Sequence, residues 1–221
     1  MAKRLVIFDC DGVLVDSEPL SIAVLVKAMR AAGAEIDEEG AYERFLGRSL
    51  ATVTECLQTE FNLPVGDAFL DSIRHDLYER FRQELQPIPG IAETLDGLTM
   101  ARCVASSSQL ERIRLSLSVT GLLPRLEPHI FSSSMVKRGK PAPDLFLYAA
   151  EQMQTAPEDC IVIEDSPAGI IAARAAGMTV FVFTGGTHAA QPAHIAELER
   201  LAPEVVFDAM PDLLHLVQKY G

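Results

Sequence analysis

The chain has 221 residues, of which 48% are hydrophobic and 23% charged, and its formal net charge is −12. This length allows one domain with a sizeable core, or a core domain with a smaller appendage. The acidic balance argues against nucleic acid and acidic membrane surfaces as partners, because both require a basic face. An anionic ligand would need locally concentrated positive charge.

The chain begins MAKRLVIFDCDG, so that Asp9 interrupts the apolar run before a signal peptide can form. We therefore expect a cytoplasmic protein, either a monomer or a weak dimer. The four cysteines show no metal-type or redox-type spacing and are expected to be reduced thiols: Cys10, Cys56, Cys103 and Cys160.

Short apolar, β-branched runs alternate with helical patterns along most of the chain. Near-continuous apolar strands are typical of a parallel sheet that is covered on both faces. The alternation predicts an open, doubly wound α/β fold with a Rossmann-like parallel sheet. The predicted strands are Leu5–Cys10, Cys103–Ser107, His129–Ser133, Cys160–Asp165 and Thr179–Thr184, and the helical patterns between them cover 109–121, 142–153 and 166–177.

One interval near the N-terminus breaks this alternation, because only amphipathic helical patterns follow the first strand. The interval is too long for an ordinary connection. An insertion at the carboxyl end of a strand lies above the ligand crevice of such a sheet. We therefore predict an α/β core of residues 1–16 and 86–221, with an all-helical cap of residues 17–85 acting as a lid.

Polar clusters follow four of the predicted strands. Each alone has a structural explanation: Ser108 with Glu111 fits a capping box, and Ser166 with Pro167 fits a helix start. Together they are harder to dismiss, because carboxyl ends of parallel strands meet at one edge of the sheet. The clusters are Asp9 with Asp11, Ser106 with its two serine neighbours, Lys140, and Glu164 with Asp165.

Converging carboxylates repel one another unless a cation lies between them. Mg²⁺ takes hard oxygen ligands and usually combines a few carboxylates with water and substrate phosphate. Ser106, Ser107 and nearby N–H groups suit phosphate oxygens, as does the ammonium group of Lys140. The residues alone therefore predict a cation-assisted phosphate site.

The motifs DxDGxLxD, SSS, GKPAPD and EDSPAG, in this order, strongly resemble the phosphatase and phosphomutase branch of the haloacid dehalogenase superfamily. The resemblance covers nearly the whole chain, and the helical insertion is similar to that family's cap. It implies that Asp9 is a nucleophile forming an aspartyl-phosphate. Asp11 would protonate the leaving alkoxide and then deprotonate water. Ser106, Ser107 and Lys140 would bind the phosphoryl group.

The same resemblance implies a Mg²⁺ cofactor and a small phosphorylated metabolite as substrate. The metal would be held by Asp9, the backbone carbonyl of Asp11, and Asp165, with Glu164 as a ligand or close neighbour. Gly12 would allow the tight backbone turn after Asp11.

The predicted cap is less informative. FLGRS places Gly47 and Arg48 in a turn between two cap helices, similar to the family's substrate-specificity loop. Arg48 either contacts a substrate carboxylate, hydroxyl or second phosphate, or is a solvated surface residue. We interpret His75 as an ordinary residue of an amphipathic helix and His188 as a polar loop residue.

These features favour a Mg²⁺-dependent phosphatase acting on a sugar or polyol phosphate. The alternative is a hexose phosphomutase similar to β-phosphoglucomutase, which has a histidine where this chain has Ser21 and an arginine where it has Leu50. A dehalogenase is disfavoured because that branch lacks an acid at the position of Asp11. A non-enzymatic protein is disfavoured because the motif residues are all present.

Overall fold

The computed structural model describes residues 5–45, 50–63 and 65–220, without the side chains of 50–52. A six-stranded parallel sheet forms the centre of this structure. Its strands are β1 (Leu5–Phe8), β2 (Ala101–Ser106), β3 (Ile130–Ser132), β4 (Cys160–Glu164), β5 (Thr179–Phe183) and β6 (Val205–Phe207). Their order is β3-β2-β1-β4-β5-β6, which confirms the predicted doubly wound α/β fold.

The strand β1 lies between β2 and β4, and its four residues are completely buried. Val6 and Phe8 enter one hydrophobic cluster, whereas Leu5 and Ile7 enter another, because successive side chains of a strand point to opposite faces. Burial on both faces explains why β1 is a continuous apolar run. The strand β6 was not predicted, since it has three residues and the central one is exposed.

Helices cover both faces of the sheet and fill the interval after β1. Between β1 and β2 lie α1 (Glu18–Ala31), α2 (Glu38–Phe45), α3 (Leu50–Thr59), α4 (Asp67–Glu84) and α5 (Ile91–Gly97). The later helices are α6 (Leu110–Val119), α7 (Leu123–Leu126), α8 (Asp144–Gln152), α9 (Pro167–Ala175), α10 (Pro192–Arg200) and α11 (Leu213–Tyr220). No helix in the described ranges is both long and apolar enough to cross a membrane.

The all-helical insertion after the first strand is confirmed, and α1 to α4 have a hydrophobic cluster of their own around Met29 and Leu57. The chain enters and leaves the insertion at neighbouring points, because the N–H of Asp16 donates to the carbonyl of Gln86 at 3.0 Å. This adjacency supports our proposal that the core and the cap divide at residues 17 and 85.

The cysteines are all free thiols, as expected for a reduced protein. Cys10, Cys103 and Cys160 are buried within the hydrophobic clusters of the sheet. Burial raises the pKa of the Cys160 thiol to about 11, so that it is protonated at neutral pH. We therefore assign these thiols to packing rather than to chemistry.

Candidate active site

A cavity of about 100 Å³ lies where β1, β2 and β4 end. The sequence placed the candidate residues after separate strands, and the structure brings most of them to this one cavity. Those that line it are Asp9, Asp11, Ser106, Ser107, Lys140 and Asp165. Glu164 is fully buried beside the cavity, and Gly47 and Arg48 lie outside the described residues.

A tight turn carries the chain from Asp9 to Asp11 and back toward the sheet. Gly12 has a φ of +82°, which is strained for any residue with a side chain. A Cβ atom at Gly12 would lie 2.0 Å from Oδ2 of Asp165. The expected turn is therefore present, and glycine allows the two acidic segments to approach each other.

Lys140 is the positive partner of the buried acids. Its Nζ donates to Oδ1 of Asp9 at 2.6 Å and to Oε1 of Glu164 at 2.5 Å, and the side chain is 3% exposed. Burial lowers the pKa of Lys140, but the two carboxylates outweigh this effect and hold the pKa above its usual value. Burial raises the pKa of Asp9, and the charge of Lys140 opposes that change.

Glu164 connects Lys140 to the turn after β4. Its Oε2 accepts hydrogen bonds from the N–H groups of Asp165 and Ser166, both at 3.0 Å, and from Oγ of Ser166 at 2.9 Å. A Cβ atom at Gly169 would lie 1.8 Å from Oε1 of Glu164, so that only glycine fits there. Ser166 caps α9 by accepting from the N–H of Gly169, as expected.

The carboxylate of Asp11 is held by three donors from different segments. Oγ of Ser17 lies 2.5 Å and Nη2 of Arg112 lies 2.9 Å from Oδ1, while Oγ of Ser108 lies 2.6 Å from Oδ2. Burial raises the pKa of Asp11, but Arg112 and the two hydroxyl groups outweigh it, so that the pKa lies below its usual value.

The structure does not show the capping box that was the structural explanation for Ser108 taken alone. The N-cap of α6 is Gln109, and its side chain makes no capping hydrogen bond. Ser108 donates to Asp11 instead, and its N–H donates to Oγ of Ser106 at 3.1 Å. The serines at the end of β2 therefore organise the cavity rather than the start of the helix.

His188 is also placed differently from the prediction. The sequence suggested a polar loop residue, but the side chain is 1% exposed and its Nε2 lies 2.8 Å from Oδ2 of Asp165. Burial lowers the pKa of His188, and Asp165 outweighs this effect and raises the pKa above its usual value. Its position shortly after β5, at the edge that carries the other polar clusters, was the signal available in the sequence.

Three further residues that line the cavity were not predicted: Glu18, Arg112 and His194. Glu18 begins α1, and Arg112 lies in the first turn of α6. Neither is part of a polar cluster directly after a strand, and helical periodicity alone does not show which helix faces meet. Their participation depends on how the insertion sits on the core.

The donor set fits a divalent cation. Oxygen atoms of Asp9, Glu164 and Asp165 lie within 4.8 Å of one another, and all three residues are buried. Lys140 and Arg112 face five carboxylates here, so that the formal charge of these side chains is −3 when all are ionised. The five are those of Asp9, Asp11, Glu18, Glu164 and Asp165. Hard oxygen donors with this surplus charge suit an ion such as Mg²⁺.

Comparison with known proteins points in the same direction. A family model described as haloacid dehalogenase-like hydrolase matches residues 3–177. The 6-phosphogluconate phosphatase of Escherichia coli (strain K12) is 31% identical over 184 residues, which are 83% of each chain.

Two solved structures are similar over nearly the whole chain. A haloacid dehalogenase-like protein of unknown function from Agrobacterium tumefaciens str. C58 is 37% identical, with a TM-score of 0.86 and 99% of both chains covered. A HAD family hydrolase from Deinococcus radiodurans R1, solved with bound phosphate and sodium, is 33% identical, with a TM-score of 0.77. The match covers 96% of this chain and 93% of that one.

Proposed function

The chain belongs to the haloacid dehalogenase-like hydrolase family and is a phosphoric monoester hydrolase, and we propose that it releases phosphate from a small sugar or polyol phosphate through an aspartyl-phosphate on Asp9. The contact between Lys140 and Asp9 carries this proposal, because it places a buried cation beside the attacking carboxylate. The bacterial relative named for 6-phosphogluconate supports the substrate class.

Asp9 attacks phosphorus in the first step. A carboxylate needs no activating base, and Lys140 on Oδ1 orients the group so that Oδ2 is available for the attack. The bond from Asp9 to phosphorus forms as the bond to the leaving alkoxide breaks. Asp11 gives a proton to that alkoxide, and for this step it must first be protonated against the neighbours that lower its pKa.

Water attacks the aspartyl-phosphate in the second step, and Asp11 takes the proton from it. Phosphate leaves and the carboxylate of Asp9 is restored. The donors around Asp11 fit this basic role, because all three favour its ionised form. Ser106, Ser107 and Lys140 bind the transferring phosphoryl group throughout.

The proposed cofactor is Mg²⁺, held by Asp9, Asp165 and the backbone carbonyl of Asp11. When bound, the ion would neutralise charge on the phosphoryl oxygens. Glu164 lies in the same oxygen cluster, but both its oxygens accept protein hydrogen bonds. We propose that Glu164 supports the site chiefly by orienting Lys140 and the turn that carries Asp165.

The dependence on metal is tested with p-nitrophenyl phosphate. We expect turnover in the presence of Mg²⁺. It should stop when EDTA is added and return when Mg²⁺ is added in excess. Without substrate, Mg²⁺ should raise the Tm of the wild type but not of Asp165→Asn. Turnover that resists the chelator would refute the metal's role. Release of inorganic phosphate without a bisphosphate primer separates this function from the phosphomutase alternative.

The role of Asp11 is tested by comparing leaving groups. Asp11→Asn should lower turnover of alkyl phosphates by about 10²- to 10⁴-fold, because the leaving alkoxide needs a proton. The loss of turnover with p-nitrophenyl phosphate should be smaller, since p-nitrophenolate leaves without needing a proton. Steady-state kinetics on both substrates measure the difference. Equal losses would contradict the role of Asp11 as an acid.

A further inference from the structure

A second cavity, of about 140 Å³, lies within the helical insertion next to the catalytic cavity. Its walls are mostly apolar and include Ile22, Phe45 and Leu77. Glu18 and Arg112 line both cavities. A leaving group that extends from a phosphate in the catalytic cavity into the insertion must therefore pass these two side chains, which we call the junction pair.

Arg112 retains unused hydrogen-bond donors. Its guanidinium carbon lies 5.3 Å from the centre of the Phe81 ring, which supports the group from one side. Both of its hydrogen bonds to described residues use Nη2, which donates to Asp11 at 2.9 Å and to Oγ of Ser21 at 3.2 Å. Within the described part of the chain, Nε is buried without a partner. A guanidinium has five N–H donors, and Nη1 makes no hydrogen bond to the residues that the structure describes.

Glu18 contributes the complementary group. It begins α1 at the edge of the catalytic cavity, and its carboxyl group has no hydrogen-bond partner among the described residues. Burial raises the pKa of Glu18 to about 7; Asp11 acts in the same direction and Arg112 opposes it. Near neutral pH this carboxyl group can therefore accept or donate a hydrogen bond.

Spare donors beside a spare carboxyl group match a hydroxyl group, which both accepts and donates a hydrogen bond. An apolar leaving group would cover the carboxyl group of Glu18 and the unused N–H groups of Arg112 without giving them partners, which is costly. A carboxylate next to the phosphoester would meet the acids Asp11 and Glu18 with only one guanidinium to balance them. Hydroxyl groups therefore suit the junction better than either.

We infer, on the basis of the proposed function, that Glu18 and Arg112 bind hydroxyl groups of the leaving group close to the phosphoester. The junction pair thereby selects phosphate esters of polyols and sugars over esters with apolar or carboxylate leaving groups. The selectivity arises where the insertion meets the core, since α1 supplies Glu18 and α6 supplies Arg112.

The test compares kcat/KM for three small esters. Glycerol 3-phosphate carries hydroxyl groups, n-propyl phosphate has the same three-carbon chain without them, and 2-phosphoglycolate has a carboxylate on the adjacent carbon. We expect the wild type to prefer glycerol 3-phosphate to n-propyl phosphate by about 10²-fold, the scale expected when buried polar groups lose a matched hydroxyl. The wild type should also have a higher kcat/KM for glycerol 3-phosphate than for 2-phosphoglycolate.

Variants assign the preference to the junction pair. Glu18→Met and Arg112→Met should each reduce the ratio between glycerol 3-phosphate and n-propyl phosphate at least tenfold (about 10-fold per lost hydrogen bond). Glu18→Gln should retain most of it, because an amide also accepts and donates. A purely structural role would lower turnover of both esters equally and leave the ratio unchanged. Arg74→Met, at an exposed arginine of α4, is the matched control and should keep the ratio.

The outcomes separate this inference from the proposed function. Failure to hydrolyse p-nitrophenyl phosphate and all three esters would overturn the proposed function. Hydrolysis of p-nitrophenyl phosphate with equal rates on glycerol 3-phosphate and n-propyl phosphate would overturn the inference alone. A preference for 2-phosphoglycolate over glycerol 3-phosphate would also overturn the inference alone. So would a folded Glu18→Met variant whose ratio between glycerol 3-phosphate and n-propyl phosphate is unchanged.

Discussion

Asp9→Asn is expected to remove at least about 99% of the turnover of p-nitrophenyl phosphate while leaving the fold intact. An amide is a far weaker nucleophile than a carboxylate and cannot form the same acyl phosphate. The side chain keeps its size, and Lys140 retains its contact with Glu164 at 2.5 Å. Steady-state kinetics and a thermal melt of both proteins measure the two parts of this prediction.

Asp208→Asn is the matched control. Asp208 follows β6 at the same edge of the sheet, but it is exposed and does not line the catalytic cavity. Its replacement should leave turnover unchanged. The covalent step is measured separately, by trapping a phosphoryl adduct on Asp9 in acid. An Asp9→Asn variant that keeps more than about 1% activity would show that another group is the nucleophile.

Lys140→Met is expected to lower both turnover and stability. The change leaves Asp9 and Glu164 as buried carboxylates without their shared cation. Removing one partner of a buried ion pair costs about 3–5 kcal/mol, which corresponds to a decrease in Tm of roughly 10 °C for a chain of this size. Loss of a phosphate-binding charge should lower kcat by about 10²-fold or more.

The stability loss should depend on pH. Burial raises the pKa of Asp9 even with Lys140 present, and removal of the cation raises it further. The penalty is therefore fully present above the folded pKa of Asp9, and it decreases as the pH falls and Asp9 takes up a proton. Thermal melts between neutral and acidic pH should show the gap between variant and wild type becoming smaller.

Lys27→Met is the control for this substitution. Lys27 pairs with Asp76 at 2.9 Å, but the two side chains are 75% and 44% exposed. Exposed pairs contribute little to stability, so no measurable change in Tm or turnover is expected. If Lys140→Met resembled Lys27→Met in both measurements, the buried ion cluster would have no role in stability or catalysis.

Local sequence patterns were sufficient to predict the α/β class, the order of the first five strands along the chain, and the helical insertion. Strands that are buried on both faces must be continuously apolar, as β1 is, so local composition identifies them. The carboxyl ends of parallel strands share one edge of the sheet. Asp9, Ser106 and Asp165 were therefore predicted to lie close together. The three-residue strand β6 was missed because its central residue is exposed.

Which charged groups meet depends on long-range packing that local patterns do not show. Lys140 lies 131 positions from Asp9 along the chain, and Arg112 lies 101 positions from Asp11. Their contacts depend on strand order, on the rotation of α6 about its axis, and on the way the insertion sits on the core. The burial of His188 likewise depends on a loop after β5. Periodicity reports whether a side chain faces inward, but the partner it meets there is set by long-range packing.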